Sequence, residues 1–280
     1  EIIELNVSDE LNAAFGKWLE NPNDYKTTKA AAAEILPLLE KKTGNAEADE
    51  LLARLDGFKR LLIKPSNWIF GGDGWGYDIG FGGLDHVLAS GEDINVIVVD
   101  TEVYSNTGGQ SSKATPTGAV AQFAASGKDV KKKDLGLMMT SYGYVYVAQI
   151  AIGADKNQAL KAIREAEAYD GPSIIIAYAP CVNHGIKQGM GYSIAQEKHA
   201  VDTGYWHLYR FNPDLKKEGK NPFTLDSKTP TKPYREFLEG EVRYTSLERA
   251  FPDRADALFE KAERDARERY ETYLRLADEE

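Results

Sequence analysis

The sequence has 280 residues, of which 42% are hydrophobic and 28% charged, a composition typical of a globular chain with a substantial core. Its formal net charge of −10 disfavours a nucleic-acid-binding surface as the main function. We find no apolar run of membrane-spanning length and no signal-peptide pattern in the sequence. A single cysteine, Cys181, rules out an internal disulfide and is typical of a reducing compartment such as the cytoplasm.

Residues 1–64 carry apolar side chains at helical spacing and are predicted to form a helical segment. Ser8 is placed to cap the first long helix, and Thr27 or Thr28 to cap the second. Pro37 interrupts the second helix and is expected to bend it.

From Asn67 onward, short apolar strands alternate with helices about every 10 to 15 residues, a pattern typical of a doubly wound, mostly parallel α/β sheet. We predict that this core covers 65–212. The proline-rich stretch after it is expected to be a long surface loop, and the last residues one amphipathic helix. Together they give a third segment, 213–280, that packs on the core.

Three chemically notable residues follow predicted strands. Asp73 follows "NWIF", Thr101 follows "INVIVVD", and Cys181 follows "SIIIAYAP". Because ligands of open parallel sheets bind beyond the carboxyl ends of the strands, we expect these residues at one edge of the sheet.

Asp73 lies in the glycine-rich turn "GGDGWG", where the backbone can approach a ligand closely. The N–H groups of such a turn favour phosphate, but a lone carboxylate would repel phosphate unless a metal ion lay between them. Mg²⁺ prefers oxygen ligands and is typically held by one or two carboxylates together with phosphates. The pattern therefore indicates an Mg²⁺–diphosphate site, to which Thr101, a nearby backbone carbonyl and Asn106 add neutral oxygen ligands.

Two alternatives stay open on these residues alone. Asp73 could simply cap a helix while Thr101 satisfies the backbone of a turn. The spacing of Gly74, Gly76 and Gly80, with Asp100 ending the next strand, also fits weakly to a dinucleotide-binding fold.

A longer match supports the diphosphate site. The "GDG" turn followed by a polar ligand 28 residues after its aspartate resembles the thiamine diphosphate fingerprint. The text from "GGDGWGYDIGFGGLDHVL" through "DTEVYSNTGGQSSKATPTG" and on to "GPSIIIAYAPCVNHG" resembles the cofactor-binding domain of pyruvate:ferredoxin (or flavodoxin) oxidoreductases. The resemblance extends over roughly 65–280 and implies the thiamine diphosphate-binding fold.

The resemblance implies a role for each matching position. Asp73, the Thr101 side chain and the Val103 carbonyl would bind Mg²⁺, and Asn106 would assist catalysis beside the thiazolium. Thr101 replaces the asparagine of the wider thiamine-enzyme pattern but agrees with this family. The residues expected to line the cofactor are Gly72, Asp73, Gly74, Trp75, Thr101, Glu102, Val103, Tyr104, Ser105 and Asn106.

In the matching family, the cysteine at the position of Cys181 is one of four ligands of a [4Fe–4S] cluster. Cys181 is the only cysteine here, and one thiolate cannot hold such a cluster alone. Either cluster binding has been lost or the other ligands lie in a part that precedes this chain. The first residue, Glu1, favours a fragment. Without the resemblance, Cys181 would be interpreted as a small buried apolar side chain.

The implied reaction is oxidative decarboxylation of pyruvate to acetyl-CoA and CO₂, with coenzyme A as acetyl acceptor and electrons passing through iron–sulfur clusters to ferredoxin or flavodoxin. A separate pyrimidine-binding domain would complete the site, in an enzyme expected to be a homodimer. The isolated chain is expected to bind cofactor weakly or not at all and to be inactive. A non-oxidative thiamine enzyme and a non-catalytic module with a degenerate site remain as alternatives.

The sequence also supports predictions for three further residues and one loop. His184 and Lys187 could face substrate or a partner domain, while His86 is expected to pack or to lie on the surface. The run "KDVKKKD" is predicted to be a solvated loop.

Overall fold

The structure is a computed structural model that describes residues 1–278. The chain divides into two compact units, Glu1–Ser66 and a larger unit from Asn67 onward. Within the described residues no helix is long and apolar enough to cross a membrane.

The first unit is helical, as predicted. Its helices are α1 (Ile2–Leu5), α2 (Asp9–Glu20), α3 (Tyr25–Leu39) and α4 (Ala46–Gly57), followed by a 3₁₀ turn, Lys59–Leu61. Ser8 caps α2 as expected, its hydroxyl accepting from the Leu11 N–H. The predicted start of α3 was wrong, because Asp24 rather than Thr27 or Thr28 is the cap and accepts the Thr27 N–H at 2.6 Å. Pro37 lies inside α3.

The larger unit is built on a six-stranded sheet with a two-stranded ribbon beside it. The strands are β1 (Trp68–Gly72), β2 (Asn95–Asp100), β3 (Val103–Tyr104), β4 (Gln110–Ser111), β5 (Tyr146–Ile150), β6 (Ser173–Tyr178), β7 (Tyr209–Phe211) and β8 (Phe223–Leu225). The sheet order is β1-β2-β6-β5-β7-β8, while β3 and β4 pair with each other. The first four strands of this order are parallel. The mostly parallel α/β prediction is therefore confirmed.

Helices cover both faces of the sheet. They are α5 (Phe81–Ala89), α6 (Leu135–Thr140), α7 (Lys156–Ala168), α8 (Ser193–Asp202), α9 (Asp214–Lys217), α10 (Tyr234–Glu239), α11 (Val242–Ala250) and α12 (Pro252–Asp278). Leucines of α5 and α6 pack with Val96 and Ile174 on one face. The alanines of α7 pack with Ala148 and Ile175 on the other. This arrangement is what a doubly wound sheet requires.

The stretch predicted as a long surface loop is partly ordered secondary structure. It contains α9 and β8, and β8 pairs antiparallel with β7, which in turn pairs antiparallel with β5. The aromatic side chains Tyr209, Phe223 and Tyr273 stack together and join these strands to α12. Burial of these rings stabilises strands of only three residues, which have no strong local signal of their own.

His207 gives the larger unit a pH-dependent stability. Its ring is buried between Tyr270 and Tyr273, and burial followed by the nearby charge of Arg269 lowers its pKa to about 3. Between pH about 6.5 and 3, His207 is therefore protonated in the unfolded chain but neutral in the folded chain. The free energy of unfolding falls as the pH falls through that window.

We expect His207→Phe to reduce this loss. Between pH about 7.5 and 4.5, the free energy of unfolding should fall by up to about 3 kcal/mol less in the variant than in the wild type. Urea titrations at both pH values measure the difference. His184, whose pKa burial also lowers to about 3, keeps part of the slope in both proteins. Equal slopes would contradict the prediction.

Candidate functional site

The loops that follow β1 and β2 meet at one edge of the sheet. Gly72, the last residue of β1, lies opposite Val99 of β2, so Asp73 and Thr101 leave the sheet side by side. The side chains touch, because the Thr101 hydroxyl donates to Asp73 Oδ1 at 2.7 Å. The prediction that the two strand ends lie together is confirmed.

Asp73 is 1% exposed and accepts hydrogen bonds on both carboxylate oxygens. Oδ1 accepts from the Thr101 hydroxyl and, at 3.3 Å, from the Thr101 N–H, while Oδ2 accepts from the Ser112 hydroxyl at 3.0 Å. No ion pair of Asp73 is found within residues 1–278. Ser112 was not predicted as a site residue. It lies in a loop 39 residues away and has no local signal that links it to Asp73.

The turn from Thr101 to Val103 brings one neutral oxygen, the Thr101 hydroxyl, to this carboxylate and a second, the Val103 carbonyl, beside the first. The Thr101 hydroxyl oxygen lies 3.1 Å from the Val103 carbonyl oxygen and 2.7 Å from Asp73 Oδ1. Carboxylate, hydroxyl and carbonyl oxygens are hard ligands of the kind that Mg²⁺ prefers. The residues therefore fit this ion, although geometry alone does not require it.

The electrostatics of Asp73 also favour a cation. Burial, and secondly the negative charge of Asp100, raise the pKa of Asp73 to about 6. Within residues 1–278 the charge of Lys132 offsets this cost only in part, and the buried carboxylate lacks a directly paired positive charge. A bound divalent ion would supply one. Within the described residues no cluster of three or more His, Cys, Asp or Glu side chains forms a metal site, so a site here depends on neutral oxygens beside a single carboxylate.

Packing explains three of the glycines around Asp73. Residues Gly74–Ile79 form a π-helical segment before α5. A Cβ at Gly71 or Gly80 would lie 2.1 Å from the ring of Trp75, and one at Gly74 would lie 2.4 Å from that of Tyr104. Close approach of these aromatic rings thus requires glycine. Gly72 is exposed and Trp75 half-buried at the same turn.

These contacts weaken the dinucleotide alternative. Its acidic residue, Asp100, is fully buried. Asp100 accepts a hydrogen bond from the Tyr77 hydroxyl at 2.7 Å and forms an ion pair with Lys132 at 2.7 Å. A carboxylate engaged in this way is not available to ribose hydroxyls.

The rest of the second loop runs through the β3–β4 ribbon. The Tyr104 carbonyl accepts the Gly109 N–H at 2.8 Å and closes the loop that holds Ser105 and Asn106. Asn106 is exposed, and no hydrogen bond of its side chain is found within residues 1–278. Its amide is thus accessible at the rim of the loop.

Beneath the loop lies a buried group of charges that the sequence analysis missed. Glu102 forms ion pairs with Lys132 at 3.3 Å and Arg243 at 2.8 Å. Burial opposes ionisation of Glu102, but these two cations outweigh it and lower its pKa to about 2. The Glu102 side chain therefore faces inward, instead of lining the cofactor loop as expected.

The prediction that "KDVKKKD" is a solvated loop was wrong for two of its lysines. The Lys132 side chain is 8% exposed and neutralises Asp100 and Glu102. Lys128 donates to the carbonyls of Ser112 and Thr115, and burial lowers its pKa to about 8. Lys128 and Lys132 of this run thus reach into the interior beside the site, while Lys131 is exposed.

His184 does not face open solvent. It is fully buried, and its Nε2 lies 2.8 Å from the Thr101 carbonyl, to which it can donate. Lys187 and His86 are exposed, the latter on α5. His184 therefore contacts the loop from behind and would not touch a substrate.

Cys181 lies against the second loop. It is buried, and its Sγ lies 3.0 Å from the Ser105 hydroxyl and 3.4 Å from the Asn183 side-chain amide nitrogen. Cys181, which follows the third predicted strand, therefore contacts the second loop at Ser105, whereas Asp73 contacts the same loop at Thr101.

Comparisons with known proteins agree with this geometry. Residues 57–177 match the family described as thiamine pyrophosphate enzyme, C-terminal TPP binding domain. The chain is 59% identical over 278 residues to a pyruvate:ferredoxin oxidoreductase of Moorella thermoacetica, covering 99% of this chain and 24% of the relative. It is 56% identical to a pyruvate-flavodoxin oxidoreductase of Klebsiella pneumoniae, with the same coverage. The chain is a relative of the pyruvate:ferredoxin oxidoreductases.

A further relative of this chain is named for a different electron acceptor. A mitochondrial pyruvate dehydrogenase [NADP(+)] of Euglena gracilis is 45% identical over 99% of this chain and 15% of its own length. Among solved structures, a 2-oxoglutarate:ferredoxin oxidoreductase from Magnetococcus marinus, with 2-oxoglutarate, coenzyme A and succinyl-CoA bound, is 22% identical, with a TM-score of 0.40 over 64% of this chain and 66% of that one. The chain spans about a quarter of the pyruvate:ferredoxin oxidoreductases it matches.

A four-thiolate [4Fe–4S] cluster does not fit this chain alone, because the sequence holds one cysteine. Cys181 could contribute one ligand of four to such a cluster. Its sulfur shares a hydrogen bond with the Ser105 hydroxyl, in which either atom can donate, and accepts from the backbone and side-chain N–H groups of Asn183.

Proposed function

We propose that this chain is the thiamine diphosphate- and Mg²⁺-binding part of an oxidoreductase that decarboxylates pyruvate. The observation that supports this most strongly is the contact of Asp73 with the Thr101 hydroxyl, which itself lies beside the Val103 carbonyl, so that a buried carboxylate and neutral oxygens gather at the ends of two parallel strands. The names of the three most informative relatives share pyruvate but not the electron acceptor.

In the proposed site, different residues would bind the metal ion and the cofactor. Asp73, the Thr101 hydroxyl and the Val103 carbonyl would hold Mg²⁺, and the loops Gly72–Trp75 and Thr101–Asn106 would hold the diphosphate and thiazolium. When bound, thiamine diphosphate supplies the electron sink for decarboxylation of a 2-oxoacid. Asn106, whose amide is accessible at the rim of its loop, would orient the reacting group by hydrogen bonding.

The whole enzyme would convert pyruvate and coenzyme A to acetyl-CoA and CO₂. Iron–sulfur clusters, one of them completed by Cys181, would pass the electrons singly to ferredoxin or flavodoxin. Contacts to the aminopyrimidine would come from another domain, in an enzyme that acts as a homodimer. We accordingly propose that this chain alone binds the cofactor weakly and turns over no pyruvate, because it holds only the diphosphate side of the site.

The test is a calorimetric titration of the chain with thiamine diphosphate at millimolar concentration, with and without Mg²⁺. We expect heat of binding only with Mg²⁺, and none with thiamine itself, which lacks the diphosphate. Metal-independent binding, or equal binding of thiamine, would overturn the proposed site. Metal-independent binding of NAD in place of thiamine diphosphate would favour the dinucleotide alternative, because that fold holds the pyrophosphate with backbone N–H groups at a helix N-terminus.

A further inference from the structure

Glu102 has an unusual backbone conformation for its surroundings. Its φ is 59°, in the left-handed region. In the described part of the chain, the other non-glycine residues with positive φ, Asn6 and Phe123, are exposed, whereas Glu102 is 1% exposed. Such a conformation costs on the order of 1–3 kcal/mol and persists only where the surrounding structure enforces it.

The left-handed residue stands between the two proposed neutral Mg²⁺ ligands. It reverses the chain, so that the Thr101 hydroxyl and the Val103 carbonyl lie 3.1 Å apart and the hydroxyl reaches Asp73. An extended residue in the middle would keep the chain straight, at about 3.3 Å per residue, and would carry the Val103 carbonyl away from the Thr101 hydroxyl. The conformation of Glu102 is thus what brings its neighbours' oxygens to one point.

Every polar group of Glu102 is bonded. Its N–H donates to Asp100 Oδ1 at 3.1 Å, and its carbonyl accepts from the Thr115 hydroxyl. The carboxylate pairs with Lys132 and Arg243, and it accepts from the Tyr205 hydroxyl at 2.6 Å. A residue held at both its backbone and its side chain cannot relax to a common φ without breaking several buried hydrogen bonds.

The same cluster also reaches Thr101. Arg243 Nε donates to Glu241 at 2.7 Å, Glu241 lies 3.8 Å from His184 Nδ1, and His184 Nε2 lies 2.8 Å from the Thr101 carbonyl. Glu241 immediately precedes α11, and Arg243 lies in the first turn of that helix. Arg243 is 141 residues from Glu102 along the chain. The C-terminal part of the chain therefore holds the metal-site turn from beneath.

We propose that Glu102 is a positioning residue, clamped by Arg243 and Lys132, that keeps the Thr101–Val103 turn in the shape that presents its two oxygens to Mg²⁺ beside Asp73. This inference rests on the proposed function of the site. A glycine would adopt the same φ freely, but it would leave Arg243 and Lys132 buried without their shared carboxylate.

The first test needs no cofactor. In the chain without ligands, hydrogen exchange of the Thr101, Glu102 and Gly109 amides reports the rigidity of the turn and its loop. The variant is Glu102→Gln, which keeps the shape and removes the charge. The matched control is Glu165→Gln, because Glu165 likewise accepts from an arginine, Arg210, and from a tyrosine, Tyr146, away from the loop.

We expect these three amides to exchange at least about 10-fold faster in Glu102→Gln than in the wild type, and to be unchanged in the control. Tyr205→Phe, which removes one hydrogen bond to Glu102, should give a smaller acceleration in the same amides and serves if Glu102→Gln does not fold. Unchanged exchange in the folded Glu102 or Tyr205 variant would overturn the proposal.

The second test is the titration with Mg²⁺ and thiamine diphosphate. If the wild type binds, we expect affinity to fall at least about 10-fold in Glu102→Gln and less than about twofold in Glu165→Gln, the size of effect seen when an outer partner of a metal site is lost. Equal affinity of both variants would overturn the positioning role. A wild-type chain that does not bind would contradict the weak binding proposed for the isolated chain, while the exchange experiment would still decide whether Glu102 holds the turn.

Discussion

Asp73→Asn is expected to abolish Mg²⁺-dependent binding of thiamine diphosphate and to leave the ligand-free chain at least as stable as the wild type. The two effects have one cause. At neutral pH the buried Asp73 carboxylate is ionised although burial raises its pKa to about 6, and the folded chain bears the cost of that charge. Asparagine has the same shape, and its amide can still bond to Thr101 and Ser112.

The sign follows from linkage. The folded chain holds the Asp73 proton more tightly than the unfolded chain, so the cost is absent below pH about 4 and complete above pH about 6. The asparagine variant should gain up to about 3 kcal/mol at pH about 7.5 and little at pH about 4. A residue that served only to cap a helix would instead show little change at either pH, because asparagine and aspartate cap helices about equally well.

Thermal and urea unfolding at the two pH values measure the gain, and calorimetry measures binding. We expect Mg²⁺-dependent affinity to fall at least about 100-fold, because a direct ligand should matter more than an outer partner worth 10–100-fold. Asp155→Asn is the matched control, since Asp155 caps α7 through the N–H groups of Asn157 and Gln158, far along the chain from the loops. A destabilised Asp73→Asn chain that still binds would contradict the prediction on both counts.

That Asp73 and Thr101 lie at one edge of the sheet could be predicted from the sequence because topology alone implies it, although their contact was not predicted. Two apolar runs that read as neighbouring parallel strands deliver whatever follows them to one edge of the sheet. The register of Gly72 opposite Val99 then leaves little freedom to the next residues. The family resemblance added the chemical identity of the ligand, which spacing did not supply.

The support beneath the loop could not be predicted in this way. Lys132 lies in a run of lysines that has the composition of a solvated loop. Its partners are Asp100, the last residue of β2, and Glu102 in the turn that follows. Arg243 is 141 residues from Glu102, and no periodicity connects α11 with the turn. The sequence did not predict β8 for a related reason. Its three residues lie among prolines and lysines and form a strand only because β7 and α12 provide a surface on which they pack.

Lys132→Met should therefore have the largest effect on stability of any lysine substitution near the site. Lys132 lies 2.7 Å from Asp100 and 3.3 Å from Glu102, and removing it leaves two adjacent carboxylates buried. Breaking a buried ion pair by deleting one partner typically costs about 3–5 kcal/mol, and we expect a loss of roughly this size at pH about 7.5.

The loss should depend on pH. Burial already raises the pKa of Asp100, with Lys132 opposing the shift. Without Lys132 the pKa of Asp100 rises further, so the variant recovers stability as the pH falls and the carboxyl group takes up a proton. Urea unfolding at pH about 5 and 8 should thus show a smaller deficit at the lower value.

Lys113→Met is the control that separates burial from charge. Lys113 lies 3.0 Å from Asp78 in the same region, but its side chain is 63% exposed, and solvent screens such a pair to less than about 1 kcal/mol. If the two variants lose similar stability, the charges beneath the loop are solvated and Glu102 has no dry clamp. If only Lys132→Met is strongly destabilised, and less so in acid, then the lysine run belongs to the interior of the cofactor loop, and the turn that carries Thr101 and Val103 depends on it.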